Sequence, residues 1–219
     1  MDATRAPERA SDLRDRLVDA AEAVMRRDGP LNVRIEEVAR LAGCSRATLY
    51  RYVADKDELV REVLIRLARA RAAAMAPGLA RIDDPADRIA EGVVRTVEGI
   101  RGEWWYAALA RHGATAAVAG LGGGPRAFVA LTAPLVAPFI DHLDAEGLLR
   151  PGITVTDATE WLCVVTTGLL AVGAGDVPGD GDPGEADGAG DAAEPQGRSR
   201  EEQVAFLRRF VADPLLRRG

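Results

Sequence analysis

Apolar residues recur along this chain at intervals of three and four. Leu13, Leu17, Ala20 and Val24 form one such series, and Leu59, Val63, Leu64 and Leu67 another. That spacing places them on single faces of α-helices, and no run alternates apolar with polar residues as a half-buried strand would. The pattern predicts an all-α fold with helices near 11–28, 35–41, 45–52, 56–76, 84–101, 103–113, 125–147, 156–172 and 199–212. Start signals agree. Asp55 with Glu58 and Ser199 with Glu202 have capping-box spacing, and Asp84 precedes Pro85 where a cap precedes a first-turn proline.

With 219 residues the chain has length for one large domain or two small ones. Its cysteines, Cys44 and Cys163, lie too far apart in sequence, with no second pair, to form a disulfide framework or a zinc-ribbon spacing. The opening stretch MDATRAPERASDLRD has no apolar segment, and the apolar run from Trp161 to Gly173 is interrupted by Thr166, Thr167 and Gly168. The expectation is a cytoplasmic protein with no membrane partner. Residues 1–10 and the segment 173–197 are expected to be disordered. The latter holds eight Gly, three Pro, seven acidic residues and no basic one. Its acidic residues do not fall at calcium-loop positions: counting from Asp180, the fifth residue is Gly184 and the sixth is Glu185.

Chemistry concentrates between residues 35 and 59, IEEVARLAGCSRATLYRYVADKDEL. Ile35, Val38 and Ala39 supply an inner face, Gly43 a tight turn, and Ser45 a cap for a second short helix whose Leu49 points inward. Two short helices joined in this way make a helix-turn-helix, and the second is of a size to enter a major groove. Arg46 and Arg51 are the base-reading candidates, because a guanidinium can meet both acceptors of guanine. Ala47 and Thr48 are small enough for close approach. Tyr50, Tyr52 and Lys56 carry donors suited to phosphate oxygens, and Lys56 sits in the first turn of the next helix. On pattern alone, an ordinary all-α helix pair with a solvated Arg46–Arg51 face fits as well.

The same 25 residues resemble the DNA-binding signature of the TetR/AcrR family of bacterial transcriptional regulators, in order and without a gap. Val38-Ala39, Ala42-Gly43, Ser45, Thr48-Leu49-Tyr50, Tyr52, Lys56 and Leu59 carry the likeness. It implies a helix-turn-helix domain over 1–56 and a helical effector-binding and dimerisation domain over 57–219. It further implies a palindromic double-stranded DNA operator, a small-molecule effector of unknown identity, a homodimer and repression released by ligand. Arg34 stands where the family usually has a capping threonine, Cys44 where it has valine, and Val53 where it has phenylalanine. Arg34 therefore loses a cap but adds a cation as a further phosphate contact. The last two helices usually pair with a partner's, which points to Trp161, Val164, Val165, Gly168, Phe206 and Phe210 as interface residues.

For the effector, consecutive Trp104, Trp105 and Tyr106 splay at about 100° intervals and cannot share one pocket. The face with Trp105, Leu109 and His112 is the expected pocket lining, joined by Phe128 and Phe139. Pro134 and Pro138 should kink the helix that carries them, or mark two helices meeting. No catalytic constellation, cofactor motif or metal set is visible: His112 and His142 lack HExxH spacing, and Gly120 to Gly124 lacks the Lys-Ser/Thr of a phosphate loop. Two rival readings are an all-α carrier or enzyme with a vestigial helix-turn-helix, and a DNA-binding dimer without an effector.

The net charge of −6 is unevenly spread. Residues 1–75 carry 15 basic groups against 13 acidic, and the acidic excess falls after them. The only lysine is Lys56.

Overall fold

A computed structural model describes residues 5–30, 32–110, 124–172 and 198–217. These contain nine helices: α1 (Arg5–Asp28), α2 (Ile35–Leu41), α3 (Arg46–Leu49), α4 (Lys56–Leu79), α5 (Pro85–Arg101), α6 (Trp104–Ala110), α7 (Gly124–Ala145), α8 (Val155–Val172) and α9 (Arg200–Leu207). The last continues as one π turn, Arg208–Ala212. No strand occurs among the described residues; one isolated antiparallel bridge joins Leu149 to Leu216. The segment 173–197 and residues 1–4 lie outside the described residues.

The expected caps form. Ser45 Oγ accepts from Thr48 N–H, Asp55 from Glu58 N–H and Asp84 from Asp87 N–H, at 3.0, 2.6 and 2.9 Å. At α9, Ser199 and Glu202 make the full reciprocal box. Each satisfies amide groups that the first helical turn leaves unpaired. Arg34, by contrast, offers α2 no side-chain cap.

Some boundaries differ from the sequence reading. Helix α1 begins at Arg5 rather than near 11, so residues 5–10, expected to be disordered, are helical. The α-helical part of α3 ends at Leu49, and Arg51 and Tyr52 donate to carbonyls only three residues back, at 3.1 and 2.8 Å. The predicted segment 45–52 is thus one helical turn finished by a tighter one. Helix α4 runs three residues past the predicted end and through Pro77, holding Leu79 against Gly92 of α5. One helix also spans both Pro134 and Pro138, so the two-helix alternative there does not hold.

Two main apolar clusters divide the chain. In the first, Leu17, Val24, Val38, Leu49, Leu59 and Val63 are fully buried, joining α1 to α4. Each such side chain contributes about 1.5–3 kcal/mol by leaving water. The second gathers α5, α7, α8 and α9 around Ile89, Ile140, Leu143 and Leu207. Helix α6 bridges them: Trp104 and Trp105 both pack against the first cluster, while Tyr106 is buried with Val97 and Leu170. Tyr106 also donates its hydroxyl hydrogen to the Leu170 carbonyl at 2.8 Å, fastening α6 to α8.

Candidate functional site

The turn between α2 and α3 depends on one residue. Gly43 has φ +71°, and the bond from Cys44 N–H to the Ala39 carbonyl, 2.9 Å, closes the Schellman arrangement that ends α2. A side chain at 43 would be strained by the backbone angle alone. The turn sets α3 across α2, with Leu49 fully buried and Val53 nearly so. Arg46, Ala47, Tyr50 and Arg51 are left facing solvent, Thr48 and Tyr52 half-buried. Ser45 and Thr48 share a hydroxyl–hydroxyl bond of 2.9 Å beneath the cap. Val53 takes the place of a larger aromatic without opening the core, being 2 % exposed.

The exposed cations are held differently. Arg46 pairs with Glu36 of α2 at 2.6 Å, and its guanidinium lies 5.6 Å from the Tyr50 ring centre. Arg51 has no side-chain partner among the described residues. Arg34 pairs with Asp28 and Glu37, at 3.0 and 3.1 Å, while staying two-thirds exposed. Lys56 is half-buried in the first turn of α4.

Ion pairs brace the helices behind that surface. Arg14 of α1 donates to the Tyr52 carbonyl at 2.9 Å and pairs with Glu58 and Glu62 of α4. Arg66 of α4 pairs with Asp19 and Glu22 of α1. Burial pushes the Glu22 carboxyl up, but hydrogen bonds from Arg26 and Arg66 outweigh it and hold the group below the usual carboxylate range. Arg27, and less strongly Arg34, hold Asp28 down at about 2 against an opposing desolvation.

A cavity of about 160 Å³ opens among α4, α5, α6, α7 and α8. Leu64, Leu67, Ile89, Val93, Phe139 and Leu162 give it an apolar wall. Its polar groups are few. Arg71 makes a two-point bond to Glu103, 2.6 and 3.2 Å, and lies across Gly99, where a Cβ would collide with it. Thr96 and Thr166 donate their hydroxyl hydrogens to the carbonyls of Gly92 and Leu162. Trp105 lines the cavity too, and its indole Nε1–H is buried without an acceptor. Burial pushes the Cys163 thiol up, with an opposing contribution from a Thr132 hydrogen bond.

Of the expected pocket residues, Trp105 and Phe139 are present in the wall. His112 lies outside the described residues, as do the side chains of Leu109 and Phe128. On the expected partner face, Trp161, Val164 and Phe210 are 43 %, 50 % and 53 % exposed, unusual values for large apolar side chains. Gly168 is exposed between them. Val165 and Phe206 instead pack partly against the second core, and Phe206 meets Phe210 with ring centres 4.9 Å apart. No helix is long and apolar enough to cross a membrane, and no metal-binding cluster occurs, among the described residues.

Residues 17–63 match the family model for bacterial regulatory proteins of the tetR family. A helix-turn-helix-type transcriptional regulator of Mycobacterium tuberculosis, itself uncharacterised, is 30% identical over 156 residues, which is 71% of this chain and 73% of the relative. The chain belongs to the TetR family of transcriptional regulators. Solved members share its fold. RolR without ligand matches at TM-score 0.62 and 18% identity, covering 91% of this chain and 90% of RolR. QsdR of R. erythropolis matches at 0.59 and 20%, covering 73% and 83%.

In this TetR-family chain, two features escaped sequence reading. Glu36, which holds Arg46, lies ten residues before it and is joined to it only by the fold. Arg71 and Glu103 read as solvated helix charges, because their meeting depends on how α4 crosses α5 and α6. The heptad-like offsets of Leu64, Leu67, Arg71 and Met75 on α4 were the available signal, since they put a charge in line with an apolar face.

Proposed function

We propose that the chain is a repressor that binds a palindromic operator as a homodimer and leaves it when a small molecule fills the cavity. In this reading residues 1–56 read DNA and 57–219 bind effector and partner, in the cytoplasm. Arg46 and Arg51 contact base edges. Ser45, Ala47 and Thr48 allow the backbone its close approach, and Arg34, Tyr50, Tyr52 and Lys56 hold phosphates.

The observation that carries the proposal is the course of α4. Its first turn bears Lys56 beside the candidate DNA surface, its next turns complete the first core, and its later turns wall the cavity. One rigid element therefore touches both places. The solved neighbours lend support: RolR has been solved with resorcinol, and the Thermus thermophilus FadR repressor with lauroyl-CoA. Dimerisation draws on the exposed face of Trp161, Val164, Gly168 and Phe210, which a second copy would remove from water.

Selection of genomic fragments by the purified protein, followed by footprinting, tests the reading. A protected inverted repeat with half-sites about one turn apart, roughly 34–36 Å, or more widely spaced, is expected. Retention of no fragment at low salt would refute it. Replacing Trp161 by Asp should yield a monomer in sedimentation and abolish cooperative protection of the two half-sites.

A further inference from the structure

The cavity's walls specify more than size. A space of about 150 Å³ holds one benzene-sized ring, and this one measures about 160 Å³. The part of a long chain or fused ring system beyond one ring would have to lie outside it. The lining is chiefly aliphatic and aromatic, so most of the occupant's surface must be apolar.

The polar groups are complementary to one kind of substituent. Trp105 has an N–H that is buried with no acceptor, an unmade bond that costs stability while it stays so. Thr96 and Thr166 have spent their hydrogens on helix carbonyls at 2.7 and 2.8 Å, so their oxygens remain as acceptors. One donor and two acceptors match a hydroxyl group, which accepts one hydrogen bond and donates another. Among the described residues of the lining, the charged groups are already engaged. Arg71 is neutralised by Glu103. The Arg88 guanidinium is engaged by the carbonyls of Ile82 and Asp83, at 2.8 and 3.4 Å. The Cys163 thiol stays protonated in its buried setting.

We propose that the cavity binds a neutral, single-ring molecule bearing a hydroxyl group, which accepts from Trp105 Nε1 and donates to a threonine oxygen. The proposal rests on the effector reading above and narrows it to a chemical class.

Calorimetric titration of the full chain with 4-methylphenol, toluene, benzoate and lauroyl-CoA tests it. The expected order places 4-methylphenol about tenfold or more tighter than toluene, the worth of a recovered hydrogen bond, with no measurable binding of benzoate or lauroyl-CoA. Trp105→Phe keeps an aromatic wall but removes the donor. It should lower 4-methylphenol affinity to near that of toluene and leave toluene within twofold. Thr166→Val should reduce the same preference by a smaller factor, which keeps the question open to test if the tryptophan variant misfolds. Equal affinity for 4-methylphenol and toluene, a preference that survives both substitutions, or tighter binding of benzoate or lauroyl-CoA overturns the proposal.

Operator retention, measured alongside, separates the two levels. Release by lauroyl-CoA without binding of any phenol overturns the ring-hydroxyl assignment and leaves ligand-responsive repression standing. Binding of 4-methylphenol with the expected Trp105 dependence, but no change in operator affinity, supports the assignment and removes the case for this molecule class as the releasing effector.

Discussion

The two apolar cores are built to different standards of filling. Around α1 to α4, side chains such as Leu17, Met25, Leu49 and Leu59 are completely buried and close on one another. Around α5 to α8, side chains such as Ile140 and Leu143 are buried as completely, yet with α4 these helices leave a cavity of about 160 Å³ beside them. The difference follows from what each core supports. Helix α3 has four residues, far too few to be stable by itself, and it holds position only because Leu49 is locked beneath it. A void there would cost position as well as stability. The cavity lies chiefly between helices of 17 to 24 residues, α4, α5, α7 and α8, which keep their own shape across a gap.

That contrast can be broken most directly by truncation. Leu59→Ala should lower unfolding free energy by about 2–5 kcal/mol, the usual cost of emptying a filled site. Met75→Ala, at the cavity wall, should cost well under half as much because its neighbours are already incompletely packed. Urea titrations giving equal losses would erase the distinction. Next in size is Arg46→Ala. It should weaken specific operator binding by about 1–3 kcal/mol, roughly 5- to 150-fold, with no shift in melting temperature. An unchanged affinity at fixed salt would sink the base-reading role, and a fall in melting temperature would mean that the pair with Glu36 is structural.

Helix caps sharpen the comparison at smaller scale. Ser45→Ala and Ser199→Ala each remove a hydrogen bond to a first-turn amide, at a cost of about 1 kcal/mol. The first should also weaken DNA binding, since α3 has no further turns to preserve its direction. The second should leave DNA binding alone. Parallel melts and retention assays distinguish them.

The smallest effect is one of pH. Arg27 and Arg34 hold Asp28 at about 2, against an ordinary 3.8. A carboxylate depressed in the folded state stabilises it fully above the unfolded value, and that contribution disappears as pH falls from about 4 through 2. Asp28→Asn should flatten the melting-temperature profile over that window alone, and an unaltered acid limb would show that the pair has no energetic weight.

Legibility in the sequence divides along the same line as the cores. The helices were readable because spacing and caps are local properties, and so were Gly43, Ser45 and Leu49, which lie within seven residues of one another. The sequence overstates the length of α3 because Tyr50, Arg51 and Tyr52 keep helical spacing while the hydrogen bonds of Arg51 and Tyr52 tighten to three residues. The cavity is assembled from faces of five helices, from Leu64 to Thr166, so its shape is a property of crossing angles that no local pattern carries. Trp105 and Phe139 are recognisable in sequence only as aromatics of the kind that line apolar sites. Arg71 and Glu103 needed the fold itself to bring them together.

Helix α6 repays a mechanical reading. Trp104 lies under the Arg26 guanidinium of α1, 5.1 Å from ring centre, while the next residue, Trp105, lines the cavity. Neighbouring residues on a helix point about 100° apart and share one rigid backbone. The helix is thus a partition that turns Trp104 to α1 and Trp105 to the cavity. It cannot be rolled to widen one compartment without dragging the furniture of the other.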